Sequence, residues 1–375
     1  MRRRVFLAGL ALLAGTALSP PAAAADLVIA TVGPMTGQYA IFGEQLRRGA
    51  ELAVETINGA GGVLGRKLRL EVGDDACDPK QAVAVANRLA GRKVALVAGH
   101  YCSSSSIPAS AIYHEADILQ ITPASTAPAL TDEAAKKGWK TVFRTYGRDD
   151  AQAKVSGRLL LDRFGDRPVA ILHDKTSYGR GLADATRAVY RQGGKREAMY
   201  EAITQGDKDF TALVTRMKAA RIGAIYLGGY HTEAGLIVRQ ARDQGLDAVM
   251  VSGDALVTDE FWKIAGAAGT GTLMTFGPDP REEPAAQPVV ERFRQGGYEP
   301  EGYALYTYAA IQVWAAAAEK AGSVKSGPVA GALRAGAFDT VVGTLRFDDK
   351  GDVLDPKYAV YSWQDGRYAV AIPAR

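Results

Sequence analysis

The chain has 375 residues, 47% of them hydrophobic, with 45 Lys and Arg against 41 Asp and Glu and only two cysteines. That length exceeds what a single core usually serves, so two domains are expected, and the apolar content excludes a disordered chain. The basic surplus does not argue for nucleic acid: the first 25 residues hold three arginines and no acid, and without them 42 basic residues face 41 acidic ones.

The sequence opens with Arg2 to Arg4, an apolar run from Val5 to Leu18, and a small-residue tract ending near Ala25. This reads as a secretory signal peptide over residues 1–25, cleaved near Ala24 or Ala25. The run is shorter than the roughly 20 residues of a bilayer span, so an exported protein is expected rather than a membrane-anchored one.

"LVIATVGP" then reads as a buried strand closed by a turn, and Leu46, Ala50, Ala53, Val54 and Ile57 recur at helical spacing before "NGAGGVLG" stops the helix. "KLRLEVGDD" alternates like a strand, "PKQAVAVANRLA" is helical with Pro79 in its first turn, and "VALVAG" and "DILQITPA" are further short strands. The rhythm restarts after Arg167 with "VAILHD", "GLADATRAVYRQGG", "EAMYEAIT", "AIYLGGY", "EAGLIVRQARDQG" and "AVMVSGD". Strands alternating with helices predict two α/β units with parallel sheets, over about 26–144 and 145–277. The rest holds a long apolar helix, a shorter one, and two strand-like stretches, "LRFDDKGDV" and "YAVYSW", as though completing units already begun.

Cys77 and Cys102 stand 25 residues apart. In an oxidising compartment they read as one disulfide; a metal site or a redox pair are the alternatives, without CxxC spacing or a histidine cluster to support them.

In open parallel sheets, ligands bind where strand carboxyl ends lead into helix N-termini. The loops at those places are rich in hydroxyls and glycines and poor in basic residues. Ser103 to Ser106 and Ser125-Thr126 stand where helices are expected to begin, suited to a small anion such as a carboxylate, or simply to capping. Asp254 follows the strand "AVMVSG" as a lone acid fit for an ammonium group, or as a turn residue. Tyr178 and Tyr230 each follow a strand and offer an apolar face with a polar tip. No GxSxG elbow, P-loop or histidine ligand spacing is present, so no catalytic residue, metal or cofactor is expected.

"GPMTGQYAIFGEQLRRGAELAVETINGAGGVLGRKL", "DDACDPKQAVAVANRL", "GHYCSSSSIPAS", "ITPASTAPALT", "HDKTSYGRGLA" and "GGYHTEAGLIVRQARDQGL" resemble, in order and spacing, the branched-chain amino acid (Leu/Ile/Val) binding proteins that feed ABC transporters. The resemblance implies a type I periplasmic binding fold, two doubly wound lobes joined by three crossing strands near Thr145, Phe276 and Asp355. Lobe 1 would hold 26–144 with about 278–355, and lobe 2 would hold 145–277 with about 356–375. It further implies a disulfide between Cys77 and Cys102. The ligand carboxylate falls on Ser103 and Thr126, and the ammonium on the Ala124 carbonyl, the Thr126 hydroxyl and Asp254. Tyr230 and Tyr178 fall at the cleft, and Phe42, Tyr101 and Tyr303 border the side-chain pocket. The implied protein is a periplasmic monomer that hands a neutral amino acid to an inner-membrane ABC permease. The alternative is the same fold holding a γ-amino acid, an amide or an aromatic acid for transport or sensing. Two positions depart from the family pattern: Asp254 where glutamate is usual, and Tyr101 where leucine is frequent.

Overall fold

The computed structural model describes residues 25–374, so the expected leader lies, but for Ala25, outside the described residues. Among the described residues no helix is long and apolar enough to cross a membrane.

The first unit runs β1 (Leu27–Gly33), α1 (Ala40–Gly59), β2 (Leu68–Asp74), α2 (Pro79–Gly91), β3 (Leu96–Gly99), α3 (Ser103–Glu115), β4 (Leu119–Thr122), α4 (Ala129–Lys136) and β5 (Val142–Arg144). Its strands are parallel in the order β2-β1-β3-β4-β5. β1 is buried almost throughout because helices cover both faces of the sheet. Asp78 caps α2 by accepting the Gln81 N–H, with Pro79 at the first helical position, where its missing N–H costs nothing. On α1 a side chain at Gly43 would meet the Pro34 carbonyl oxygen at 2.2 Å, so glycine alone lets the helix lie against the loop after β1.

The second unit runs α5 (Asp149–Phe164), β6 (Val169–His173), α6 (Ser177–Gln192), β7 (Met199–Ala202), α7 (Thr211–Ala219), β8 (Ala224–Gly228), α8 (His231–Asp243), β9 (Val249–Ser252), α9 (Asp259–Ala265) and β10 (Leu273–Phe276). The strand order β7-β6-β8-β9-β10 repeats that of the first sheet. The remainder supplies α10 (Gln287–Gln295), α11 (Ala304–Ala321), α12 (Ser326–Ala335), β11 (Phe338–Thr340), β12 (Gly343–Leu345), β13 (Ala359–Gln364) and β14 (Arg367–Ile372). α10, α11 and α12 bury their apolar residues with β1, β3 and β4, whereas β13 and β14 extend the second sheet beyond β10. The chain thus passes between the two cores three times, over 145–148, 277–285 and 354–358.

Both sheets are parallel as expected over β1–β5 and β6–β10, and the second adds two strands of opposite direction: β13 runs antiparallel to β10, and β14 antiparallel to β13. β13 arrives from the other unit, not through a helical crossover, so no parallel connection is imposed. β14 then follows by a two-residue turn, Asp365-Gly366, both at positive φ, the Asp-Gly signature of a tight hairpin.

Arg144, at the end of β5, is fully buried. Its guanidinium lies 2.7 Å from Asp352 and donates to the carbonyls of Ser125 at 2.9 Å and Ala127 at 3.2 Å. Arg148 reaches the same Asp352 at 2.8 Å. The first crossing and the segment leading to the third are therefore tied by one carboxylate.

Candidate functional site

Order reversal between β1 and β3, and again between β6 and β8, opens a crevice at the carboxyl end of each sheet. The two crevices face each other. Tyr39, after β1, packs on Tyr230, after β8, with ring centroids 4.5 Å apart, and the Tyr230 hydroxyl donates to Cys102 Sγ at 3.2 Å. Cys102 is bonded to Cys77, so the disulfide borders the cleft and fastens the loop after β2 to the start of α3.

Tyr101, Ser103, Ala124, Tyr178, Tyr230, Asp254, Ala255 and Tyr303 line one tightly closed cavity between the lobes, of about 10 Å³. Seven of these eight are residues expected from the sequence. The other two expected residues stand behind the wall: Phe42 stacks on Tyr101 at 4.4 Å, and Thr126 is wholly buried with its hydroxyl unpartnered among the described residues.

α3 begins with Ser103, which lines the cavity. The first bonded amides are those of Ser105 and Ser106, both to the Cys102 carbonyl at 2.9 Å, so the N–H groups of Ser103 and Ser104 are open at the helix start. Ser103 Oγ accepts the Ala127 N–H at 3.2 Å, leaving its own proton to donate. Ser125 and Thr126 do not start a helix, contrary to the sequence expectation. α4 begins only at Ala129, because the loop is held open by Thr122 Oγ1, which accepts the Ser125 N–H at 2.9 Å, and by Arg144.

Asp254, 1% exposed, lines the same cavity. It accepts the Tyr178 hydroxyl at 2.8 Å and Gln152 Nε2 at 3.2 Å on Oδ1, and the Tyr303 hydroxyl at 2.7 Å on Oδ2. Burial raises its pKa, and the hydroxyl and amide donors pull it back toward ionisation. Gly253 is required beside it, since a side chain there would meet the Tyr178 hydroxyl at 2.6 Å.

Asp254 is not the lone acid that the sequence suggested. Asp149, the first residue of α5, is fully buried, and neither carboxyl oxygen has a hydrogen-bond partner among the described residues. Burial, then the charge of Asp254, drives its pKa well above the usual carboxylate range. The Thr126 hydroxyl lies beside it and favours ionisation, although the two fall short of hydrogen-bond geometry; the Asp149 N–H donates to the Thr126 carbonyl at 3.0 Å. Sequence reading missed Asp149 because "RDD" before a helix looks like ordinary acidic residues in a first turn. It also missed Tyr39, Gln152 and Tyr146, whose ring packs edge-on against Tyr303 at 5.6 Å; no local pattern marks residues that converge from separate chain segments.

A buried acid with hydroxyl donors, open amides with a serine hydroxyl, and several tyrosines border one cavity, a set matched to a small molecule that carries both a positive and a negative group. This is a two-lobed α/β protein with its site enclosed between the lobes. A family model described as periplasmic binding protein matches residues 26–367. The chain is 50% identical over 350 residues, 92% of each chain, to the amino acid binding protein of Pseudomonas aeruginosa. It is 46% identical over 370 residues, 98% of each chain, to Leu/Ile/Val-binding protein homolog 1 of Brucella suis. The branched-chain amino acid transporter substrate binding protein LivJ of Streptococcus pneumoniae, solved with isoleucine, superposes with a TM-score of 0.84 at 26% identity, covering 93% of this chain and 100% of that one. The chain belongs to the periplasmic binding protein family, with the type I architecture of two α/β lobes.

Proposed function

We propose that this protein captures a neutral amino acid of the branched-chain type in the inter-lobe cleft and delivers it, unchanged, to an inner-membrane ABC permease. The observation that carries this reading is that one cavity is bordered both by a buried acid, Asp254 with Asp149 near it, and by open amide and hydroxyl donors, Ser103 and the start of α3. Burying a zwitterion is costly unless each charge meets a counter-group, and this arrangement supplies one for each. The ligand ammonium sits toward Asp254, the Ala124 carbonyl and Thr126, and its carboxylate toward Ser103. Its side chain lies among Tyr101, Phe42, Tyr178, Tyr230 and Tyr303. The names of the Brucella and Pseudomonas relatives and the isoleucine bound by LivJ support an amino acid over an amide or aromatic acid.

The protein acts as an exported periplasmic monomer without a cofactor, and no reaction is assigned to it. Isothermal titration of the ligand-stripped protein against leucine, isoleucine, valine, alanine, proline, phenylalanine and γ-aminobutyrate tests the reading. One-to-one binding of neutral α-amino acids is expected. A silent panel, or binding of γ-aminobutyrate alone, overturns it.

A further inference from the structure

A second concavity lies on the hinge side of the second lobe, away from the inter-lobe cavity. It has a volume of about 490 Å³, within the range of small-molecule sites. One wall is a single stripe of α5, in which Ala151, Val155 and Leu159 alternate with Lys154, Arg158 and Asp162 at three- and four-residue spacing. The opposite wall is Pro356 to Tyr358 from the third crossing, with Val360 of β13 and Ile372 of β14.

Four cations border this apolar floor: Lys154, Arg158, Arg163 and Lys357. Among the described residues none of them takes part in an ion pair or a side-chain hydrogen bond, and Asp162 is the one acid in the lining. Lys154 and Arg158 also stand four residues apart on one helix face, a like-charge spacing that slightly destabilises the helix. Four unpaired cations around an apolar floor are complementary to a molecule that has an apolar body and an anionic end.

We propose that this groove is a second binding site, for a small amphipathic monoanion such as a medium-chain carboxylate. The carboxylate meets Arg158 and Lys154, with Lys357 closing from the facing wall, and the hydrocarbon lies along Val155, Leu159, Val360 and Ile372. The walls belong to α5, the helix that follows the first crossing, and to the third crossing itself, so the occupant touches one connection between the lobes and the helix next to another.

The test is titration of the full exported chain with octanoate, followed calorimetrically. Saturable one-to-one binding is expected in the wild type, weakened at least tenfold in the Lys154→Glu/Arg158→Glu variant and largely retained in Asp254→Ala. Both groove positions are exposed, so the variant keeps its fold, which circular dichroism confirms; Lys154→Gln/Arg158→Gln provides a milder version with an intermediate loss. No saturable binding, binding indifferent to the charge reversal, or loss of binding in Asp254→Ala overturns the proposal. Attachment to phosphatidylglycerol vesicles without binding of octanoate would overturn it in favour of a membrane surface. None of these readings depends on which amino acid fills the inter-lobe cleft.

Discussion

Tyr303 and Asp254 join the two lobes through a single hydrogen bond: the tyrosine hydroxyl, at the start of a helix packed on the first sheet, donates at 2.7 Å to a carboxylate that follows the second sheet's β9. The contact spans the two lobes, and it orients the carboxylate that faces the cavity. A hydrogen bond to a charged group contributes about 1.5–3 kcal/mol. Tyr303→Phe is therefore expected to weaken amino acid binding about tenfold or more, read by titration calorimetry. Unchanged affinity would separate this bond from ligand binding.

Asp254→Ala removes the counter-charge and leaves the hydroxyls of Tyr178 and Tyr303 without their acceptor. Binding of any ammonium-bearing ligand is expected to fall at least a hundredfold. In the wild type, burial raises the pKa of Asp254, and an arriving ammonium favours its ionised form. Affinity is thus expected to decline as pH falls through the acid's titration and to hold steady above it. A flat profile down to the acid limit of folding would argue against a charge contact.

Tyr101 packs on Phe42 at 4.4 Å and edge-on to Tyr303 at 5.3 Å, forming one wall of the side-chain space. Tyr101→Leu is expected to enlarge that space and move preference toward bulkier aliphatic side chains. Hydrophobic pockets discriminate by only about 1–3 kcal/mol per methylene, so the change should be read as a reordered ranking of leucine, valine and alanine. An unaltered ranking would place the pocket boundary elsewhere.

The Cys77–Cys102 bond closes a loop across 25 residues beside the cleft. Cys77→Ser/Cys102→Ser is expected to cost about 3 kcal/mol of stability in denaturant unfolding, and to loosen Tyr230, which rests on Cys102. Mass spectrometry after alkylation should find no free thiol in the wild type.

Glu301 has its pKa raised to about 7, first by burial and then by the neighbouring charge of Asp259, with Arg281 opposing. A carboxyl whose folded pKa lies above its unfolded value contributes stability at low pH that is lost as pH rises from about 4.3 through about 7. Glu301→Gln should therefore flatten the fall in Tm between pH 5 and pH 8. The same slope in the variant would trace it to another group.

Much of the architecture was legible because it rests on periodicity. Alternation of β-branched runs with helical stripes marks the strands from Leu27–Gly33 to Val249–Ser252, and the loops after them fall where the cavity lies. The antiparallel end of the second sheet was hidden, since pairing between β10 and β13 is set by where the chain returns and not by any local pattern. The start of α4 was misplaced because Arg144, a strand residue, holds the preceding loop away from helical geometry.

The sequence by itself determined the α/β alternation and the residue types gathered at the strand ends, and it favoured one disulfide between its two cysteines, because each depends on local spacing and composition. Only the tertiary structure decided that Asp254 is held by tyrosines from both lobes, that the Asp149 carboxyl lies buried without a hydrogen-bond partner among the described residues, and that Arg144 and Arg148 share Asp352. Those facts arise from desolvation and from hydrogen bonds between residues distant in the chain, and neither leaves a trace in local sequence.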